Sequence, residues 1–325
     1  MMNSKNLELK DIYKAANKVY SIARNTPLYK TVDLSQKLDS DIYYKLEFLQ
    51  DTGSFKVRGA SNFALNLRDN ELEKGLVTYS TGNHGRAVSH VAKTLGTDAK
   101  VCLSKNVPEN KKEGIRKSGG KVIVYGDSQD EAKIKAEELN KTEGRSIVPP
   151  FDDPDIISGQ GTIGLELMKE IPDLDSVLVP LSGGGLISGI ALAVKSINPE
   201  CKVYGISMTR GAAMYESIKA GEEVEVDEVN TLADSLQGGI LLNNQYTYKM
   251  VKKYVDEIIL VTEKEIERAM NYIFYHDHFV IEGASAVGTA ALLSDKIKNS
   301  DEKRAIILTG TNISNKEFMS VIKNK

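Results

Sequence analysis

The feature that most constrains this chain is a rhythm. Short runs of Val, Ile and Leu alternate with amphipathic helical stretches along most of its length. The β-rich runs fall at residues 42–48, 76–80, 100–103, 121–125, 176–180, 202–208, 257–261 and 305–308. Several are continuously apolar, which suits strands buried on both faces. Helical periodicity fills the spaces between, at 83–95, 110–117, 128–142, 186–196 and 264–275. An opening helix over 7–23 carries Leu9, Ile12, Ala15, Val19 and Ile22 at spacings of three and four, and Thr26-Pro27 ends it. Strands alternating with helices predict α/β units: open, twisted, mostly parallel sheets flanked by helices. In such sheets ligands bind beyond the carboxyl ends of the strands.

Length and charge narrow the classes. A chain of 325 residues is long enough for about two domains. Neither a fixed-period repeat nor a Pro/Gly/Ser linker is visible, so the chain is expected to cross between domains more than once. Its 42 Lys+Arg nearly cancel its 45 Asp+Glu, a net charge of −3. That excludes a chain built around a basic nucleic-acid surface. Residues 1–10 lack the apolar core of a secretory signal, and no apolar run is long enough to span a bilayer. The two cysteines, Cys102 and Cys201, are far apart and read as buried small hydrophobes in a reducing, cytoplasmic setting.

Four loops that follow predicted strands carry chemistry. The first, Asp51-Thr52-Gly53-Ser54-Phe55-Lys56-Val57-Arg58-Gly59-Ala60, puts a lysine where a helix opens. The helix dipole disfavours an ammonium there, and a depressed pKa is what a Schiff-base lysine needs. A solvated lysine at a helix start is the alternative. The second, Ser80-Thr81-Gly82-Asn83-His84-Gly85, is a polar turn leading into a helix N-terminus, either an ordinary cap or a carboxylate site. The third, Ser182-Gly183-Gly184-Gly185-Leu186, lets backbone amides converge on a phosphate. It matches neither a Walker loop nor GxGxxG with its partner acid. The fourth, Leu308-Thr309-Gly310-Thr311-Asn312, offers a neutral hydroxyl at a sheet edge.

A lysine for an aldehyde, an amide nest for a phosphate, an anion site for a carboxylate and a partner for a ring nitrogen together point to pyridoxal phosphate. The chain resembles the threonine dehydratase/serine racemase family of fold-type II pyridoxal-phosphate enzymes, which are tryptophan synthase β-like in fold. The matching stretches are Gly53 to Ala60, Ser80 to Gly85, Pro150-Phe151-Asp152-Asp153, Gly159-Gln160-Gly161-Thr162, Ser182 to Leu186 and Glu282-Gly283. Within the family it looks most like the dehydratases of hydroxyectoine utilisation. That finer likeness rests on Ser80–Ala87, on Ser207 to Met214 and on Thr231 to Leu236.

The resemblance implies a role for each position. Lys56 carries the cofactor, Phe55 packs on its ring and Asn83 bonds its 3-oxygen. Gly183, Gly184, Gly185 and Leu186 hold the phosphate. Thr309 faces the pyridine nitrogen, and Glu282 belongs to the cofactor-binding set. Ser80, Thr81, Gly82, Asn83 and His84 hold the substrate carboxylate. A neutral hydroxyl at the ring nitrogen favours expulsion of a β-leaving group. The implied reaction is therefore dehydration of a 3-hydroxy amino acid such as threonine or serine to a 2-oxo acid and ammonia, with Lys56 removing the Cα proton. Thr81 stands where racemase-like members carry an acid/base serine, so racemisation is the alternative. Dehydration of 3-hydroxyaspartate or in a hydroxyectoine pathway, and β-replacement, are further ones.

The resemblance also implies a large domain of residues 1–52 and 147–325, a small mobile domain of 53–146, and a homodimer. No carboxylate accompanies Ser207, Gly211 and Ala213, where eukaryotic-type racemases hold a divalent cation, so no metal is expected there. Arg86, Arg145 and Arg210 are candidates to read a second anionic group. Asp152-Asp153 reads as a turn or cap, and His276 and His278 as surface residues. No stretch beyond Asn312 is long enough for a regulatory domain, so no feedback inhibition by isoleucine is expected.

Overall fold

Two sheets organise the molecule, and the chain visits one of them twice. The computed structural model describes residues 6–80, 82–298 and 302–322. The strands are β1 (Leu28–Lys30), β2 (Asp41–Lys45), β3 (Leu76–Thr78), β4 (Ala99–Leu103), β5 (Lys121–Val124), β6 (Ser146–Ile147), β7 (Ser176–Pro180), β8 (Lys202–Met208), β9 (Glu257–Val261) and β10 (Lys303–Ile307). The larger sheet has the order β1-β2-β10-β7-β8-β9 and the smaller β5-β4-β3-β6. Every pairing is parallel except β1 with β2. Strand β10 slots between β2 and β7, so the six-stranded sheet is built from both ends of the chain around the four-stranded one.

Local chemistry explains where the elements start. Every residue of β7 is buried, as its continuous Val177-Leu178-Val179 run requires. Ser128 caps helix Gln129–Glu143 by accepting from the Glu131 amide, while the Glu131 carboxylate takes the Ser128 amide. Thr262 with Glu265 and Ser314 with Glu317 repeat the device. Asp153 caps helix Pro154–Glu170, taking the amides of Asp155 and Ile156. The opening helix is Leu9–Val19, and the run at 42–48 divides into β2 and a 3-10 turn, Glu47–Leu49.

One core lies on the six-stranded sheet under helices Glu263–Asp277 and Gly283–Leu293, where Ile206, Met270, Val287 and Ile306 meet. On its other face Ile163, Ile187, Ile190 and Val203 pack helices Pro154–Glu170 and Gly185–Ile197. No described helix is long and apolar enough to cross a membrane. The two sheets turn the carboxyl ends of β3, β4 and β5 and of β7 and β10 toward one cleft, where parallel sheets bind ligands.

Candidate active site

That cleft is a cavity of about 990 Å³. It is lined by Phe55, Lys56, Ser80, Gly82, Asn83, His84, Gly183, Gly184, Gly185, Leu186, Glu282 and Thr309. All four sequence-predicted loops therefore meet in one place. Thr81 lies outside the described residues.

Lys56 is the first residue of helix Lys56–Leu65. Its Nζ donates to the Pro150 carbonyl at 2.7 Å and lies 5.4 Å from the centre of the Phe55 ring. No carboxylate pairs with it among the described residues. Burial without a counter-ion lowers its pKa to about 8. Two residues on, Arg58 turns the other way. Its guanidinium is fully buried between Glu47 (2.7 Å) and Glu166 (2.5 Å), and Glu166 also meets Lys45 at 2.7 Å. Burial opposes the Arg58 charge, but Glu47 and Glu166 outweigh it and raise the pKa. This cluster ties β2, the Lys56 helix and helix Pro154–Glu170 together.

Across the cavity, helix Asn83–Thr94 points its N-terminus at the same space. The His84 ring is buried, and its Nε2 lies 3.0 Å from the Val148 carbonyl. A carbonyl only accepts, so Nε2 carries a proton. Burial, reinforced by Lys56, lowers its pKa to about 3. Asn83 is already committed: its amide donates to Glu282 Oε1 at 2.8 Å, and its carbonyl accepts from Asn312 at 2.5 Å. Glu282 also accepts from Ser235 Oγ at 2.8 Å and from the Asn312 amide at 3.2 Å. Burial lifts the Glu282 carboxyl to about 7.

The third loop forms the opposite wall. Gly184 has φ +87°, a left-handed conformation that strains any residue with a Cβ. A Cβ on Gly183 would come within 2.5 Å of the Phe151 ring. Among the described residues no acceptor takes the amides of Gly183, Gly184, Gly185 and Leu186, where helix Gly185–Ile197 begins. Thr309 Oγ1 lies 3.1 Å from Ser285 Oγ. The single Ser285 proton goes to the Gly310 carbonyl at 2.7 Å, so Thr309 is the donor in that contact.

Other candidates fall elsewhere. Arg145 is bound to Asp98 and Glu143, away from the cavity, and Arg210 does not line it. Arg86 does line it, held by Asn312 Oδ1 at 2.7 Å. Asp152 takes three backbone amides, from Gln245, Tyr246 and Thr247, and so caps helix Thr247–Tyr254. His276 pairs with Asp33 at 2.6 Å on another face. The described residues contain no cluster of three or more metal-ligating side chains. Sequence reasoning included Asn312 in the fourth loop and Ser235 in the stretch Thr231 to Leu236 but gave neither a role, because a loop residue carries no local signal for what it meets.

Pyridoxal phosphate needs an amine for its aldehyde and free amides for its phosphate. The unpaired Lys56 and the acceptor-free Gly183–Leu186 amides supply both, so the residues fit the group. A Sinorhizobium fredii protein, whose name provisionally makes it a threonine dehydratase, is 45% identical over 308 residues, covering 95% of this chain and 93% of that one. A maize serine racemase structure superposes with a TM-score of 0.92 at 31% identity, covering 97% of each chain. The processed form of threonine deaminase isoform 2 from Solanum lycopersicum does so at 0.89 and 34%, covering 96% and 91%. The family model described as pyridoxal-phosphate dependent enzyme matches residues 19–310, and the chain belongs to that family.

Proposed function

We propose that this protein is a pyridoxal-phosphate-dependent ammonia-lyase that converts a 3-hydroxy amino acid such as threonine or serine to a 2-oxo acid and ammonia. The observation that carries the reading is Lys56: a lysine without a counter-ion, facing a glycine loop with free amides across one cavity. The similar proteins named threonine dehydratase and threonine deaminase support the choice of reaction.

When bound, the cofactor supplies an electron sink at the substrate Cα. The chain's residues do the rest. Lys56 tethers it, and the Gly183–Leu186 amides hold its phosphate at a helix N-terminus. Phe55 and the second amide proton of Asn83 would hold the ring, Thr309 would lie at its nitrogen once it gives up its contact with Ser285, and Glu282 holds Asn83. The loop Ser80–His84 orients the substrate carboxylate, with Thr81 as a candidate proton donor. Once free, the Lys56 amine takes the Cα proton, a role suited to a pKa of about 8.

The reading includes a small mobile domain; the separate four-stranded sheet, β3 to β6, supports one, while Arg58 ties helix Lys56–Leu65, inside the expected 53–146, to Glu47 and Glu166 of the larger body, so the moving part is the four-stranded sheet with its own helices. A homodimer and a cytoplasmic location complete it. Light scattering at twice 35.7 kDa tests the dimer.

The likeness to a serine racemase keeps racemisation as the second reading. Incubation with L-threonine and L-serine, with oxo acid and D-isomer assayed separately, tests both. Oxo-acid release should exceed D-isomer formation; the reverse would replace the lyase reading with a racemase.

A further inference from the structure

The mouth of the cavity is bridged. Lys111, on helix Glu109–Lys117 above the four-stranded sheet, meets Asp234 at 2.7 Å. Asp234 opens the 3-10 turn Asp234–Leu236, which belongs to the body of the six-stranded sheet. Both residues line the cavity, and among the described residues theirs is the ion pair that joins two lining residues. The next residue, Ser235, donates to Glu282, and Glu282 accepts from Asn83 through the same oxygen. Two consecutive residues thus grip the opposite body at two depths: Lys111 at the mouth and Asn83 on the floor.

The turn is a fixed arm. Leu236 and Ala233 are buried in the core of the six-stranded sheet. Thr231 Oγ1 and the Leu232 amide are both held by the Glu263 carboxylate, at 2.6 and 2.7 Å. A Cβ on Gly283 would come within 2.2 Å of the Leu232 carbonyl oxygen, so the segment rests directly on helix Gly283–Leu293. The Lys111 arm is a reversible contact. Lys111 is 31% and Asp234 44% exposed, so their pair biases an equilibrium without locking it.

We infer that Asp234 and Ser235 are positioning residues on one fixed arm: Asp234 receives Lys111 when the mouth closes, and Ser235 aims the Glu282 carboxylate on which Asn83 docks. The inference rests on the proposed reading of the cavity as the reaction site. Lys111 and Asn83 sit on the same body, so closing the mouth excludes water and brings Asn83 onto Glu282 in one movement, while Ser235 keeps the Glu282 carboxylate aimed in either state. Asp234 serves binding and Ser235 serves turnover, so their variants separate KM from kcat.

The test uses the holoenzyme and three readouts: KM and kcat for L-threonine, the visible absorption of the bound cofactor, and amide hydrogen exchange of residues 109–117. Lys111→Met and Asp234→Asn should each raise KM and speed that exchange roughly three- to fivefold, the span of a half-exposed ion pair. The double variant should be no worse than either single one, and Lys111→Asp with Asp234→Lys should recover at least half of the loss. Ser235→Ala should leave exchange at 109–117 within twofold, lower kcat and shift the absorption band. Additive single effects, failure of the swap to recover, or a Ser235→Ala enzyme with wild-type kcat and band would overturn the inference. If the wild type released no oxo acid, the lyase reading would fail; exchange and absorption would still decide the clamp.

Discussion

Two charged side chains on the same helix, Lys56 and Arg58, sit two residues apart and live under opposite rules. Arg58 enters a fully buried cluster in which Glu47, Glu166 and Lys45 answer each charge within 2.7 Å. Lys56 enters the cavity and finds one carbonyl. Partners raise the Arg58 pKa, and burial alone lowers that of Lys56 to about 8. The difference separates scaffold from chemistry. Completed charge fixes the helix against two other segments, and incomplete charge leaves a nucleophile with its lone pair accessible near neutral pH.

The largest effect expected from this contrast is on stability. Arg58→Met leaves Glu47 and Glu166 buried without their shared cation and should cost about 3–5 kcal/mol in urea unfolding of the apoprotein. Lys56→Met removes a charge that folding disfavours and should gain about 1 kcal/mol. Equal losses in the two variants would break the comparison.

A second effect concerns Glu282, an acid whose burial lifts it from its ordinary 4.5 to about 7. Between those values the folded chain holds a proton that the unfolded chain releases. The stabilising contribution is complete below pH 4.5 and is lost as pH rises through 7, by about 3 kcal/mol. Glu282→Gln should flatten that stretch of the apoprotein's stability–pH curve; an unchanged slope would assign the titration elsewhere.

Gly184→Ala comes next. At φ +87° the added methyl should cost about 1–2 kcal/mol and weaken cofactor binding roughly tenfold, since the amides it displaces are those without acceptors. A variant that loses stability but keeps its cofactor affinity would make the loop structural only. The mildest effect is kinetic. Lys56 folds with a pKa of about 8 against 10.5 when free, so the rate of cofactor capture should climb with pH around 8 and level above it.

The same contrast explains what was legible in the sequence. Strands β7 and β8 stand where their runs predicted, because strands covered on both faces have no polar alternation to confuse, and β9 does so at the sheet edge on its unbroken Ile258-Ile259-Leu260-Val261. Strand β1 is three residues, two of them exposed at the sheet edge, and β6 is two residues. Neither is long enough to carry a pattern. Helices Pro154–Glu170 and Gly283–Leu293 are buried almost all round and rich in glycine or alanine, so no polar face marks their period. In the site, the motif residues Lys56, Asn83, Gly184 and Thr309 were legible because their local sequence differs from ordinary loops. The contacts of Asp234, Ser235 and Asn312 were not, although the stretches that contain them stood out. Their part depends on which distant segment the topology brings beside Glu282, and a linear pattern does not carry that.

The central claim is that Lys56 is an amine kept available for pyridoxal phosphate. Adding the cofactor to apoprotein and recording visible absorption tests it directly. The wild type should develop a stable band that borohydride fixes covalently on Lys56, and Lys56→Ala should develop none. A colourless wild type, or a band that survives Lys56→Ala unchanged, would contradict the account.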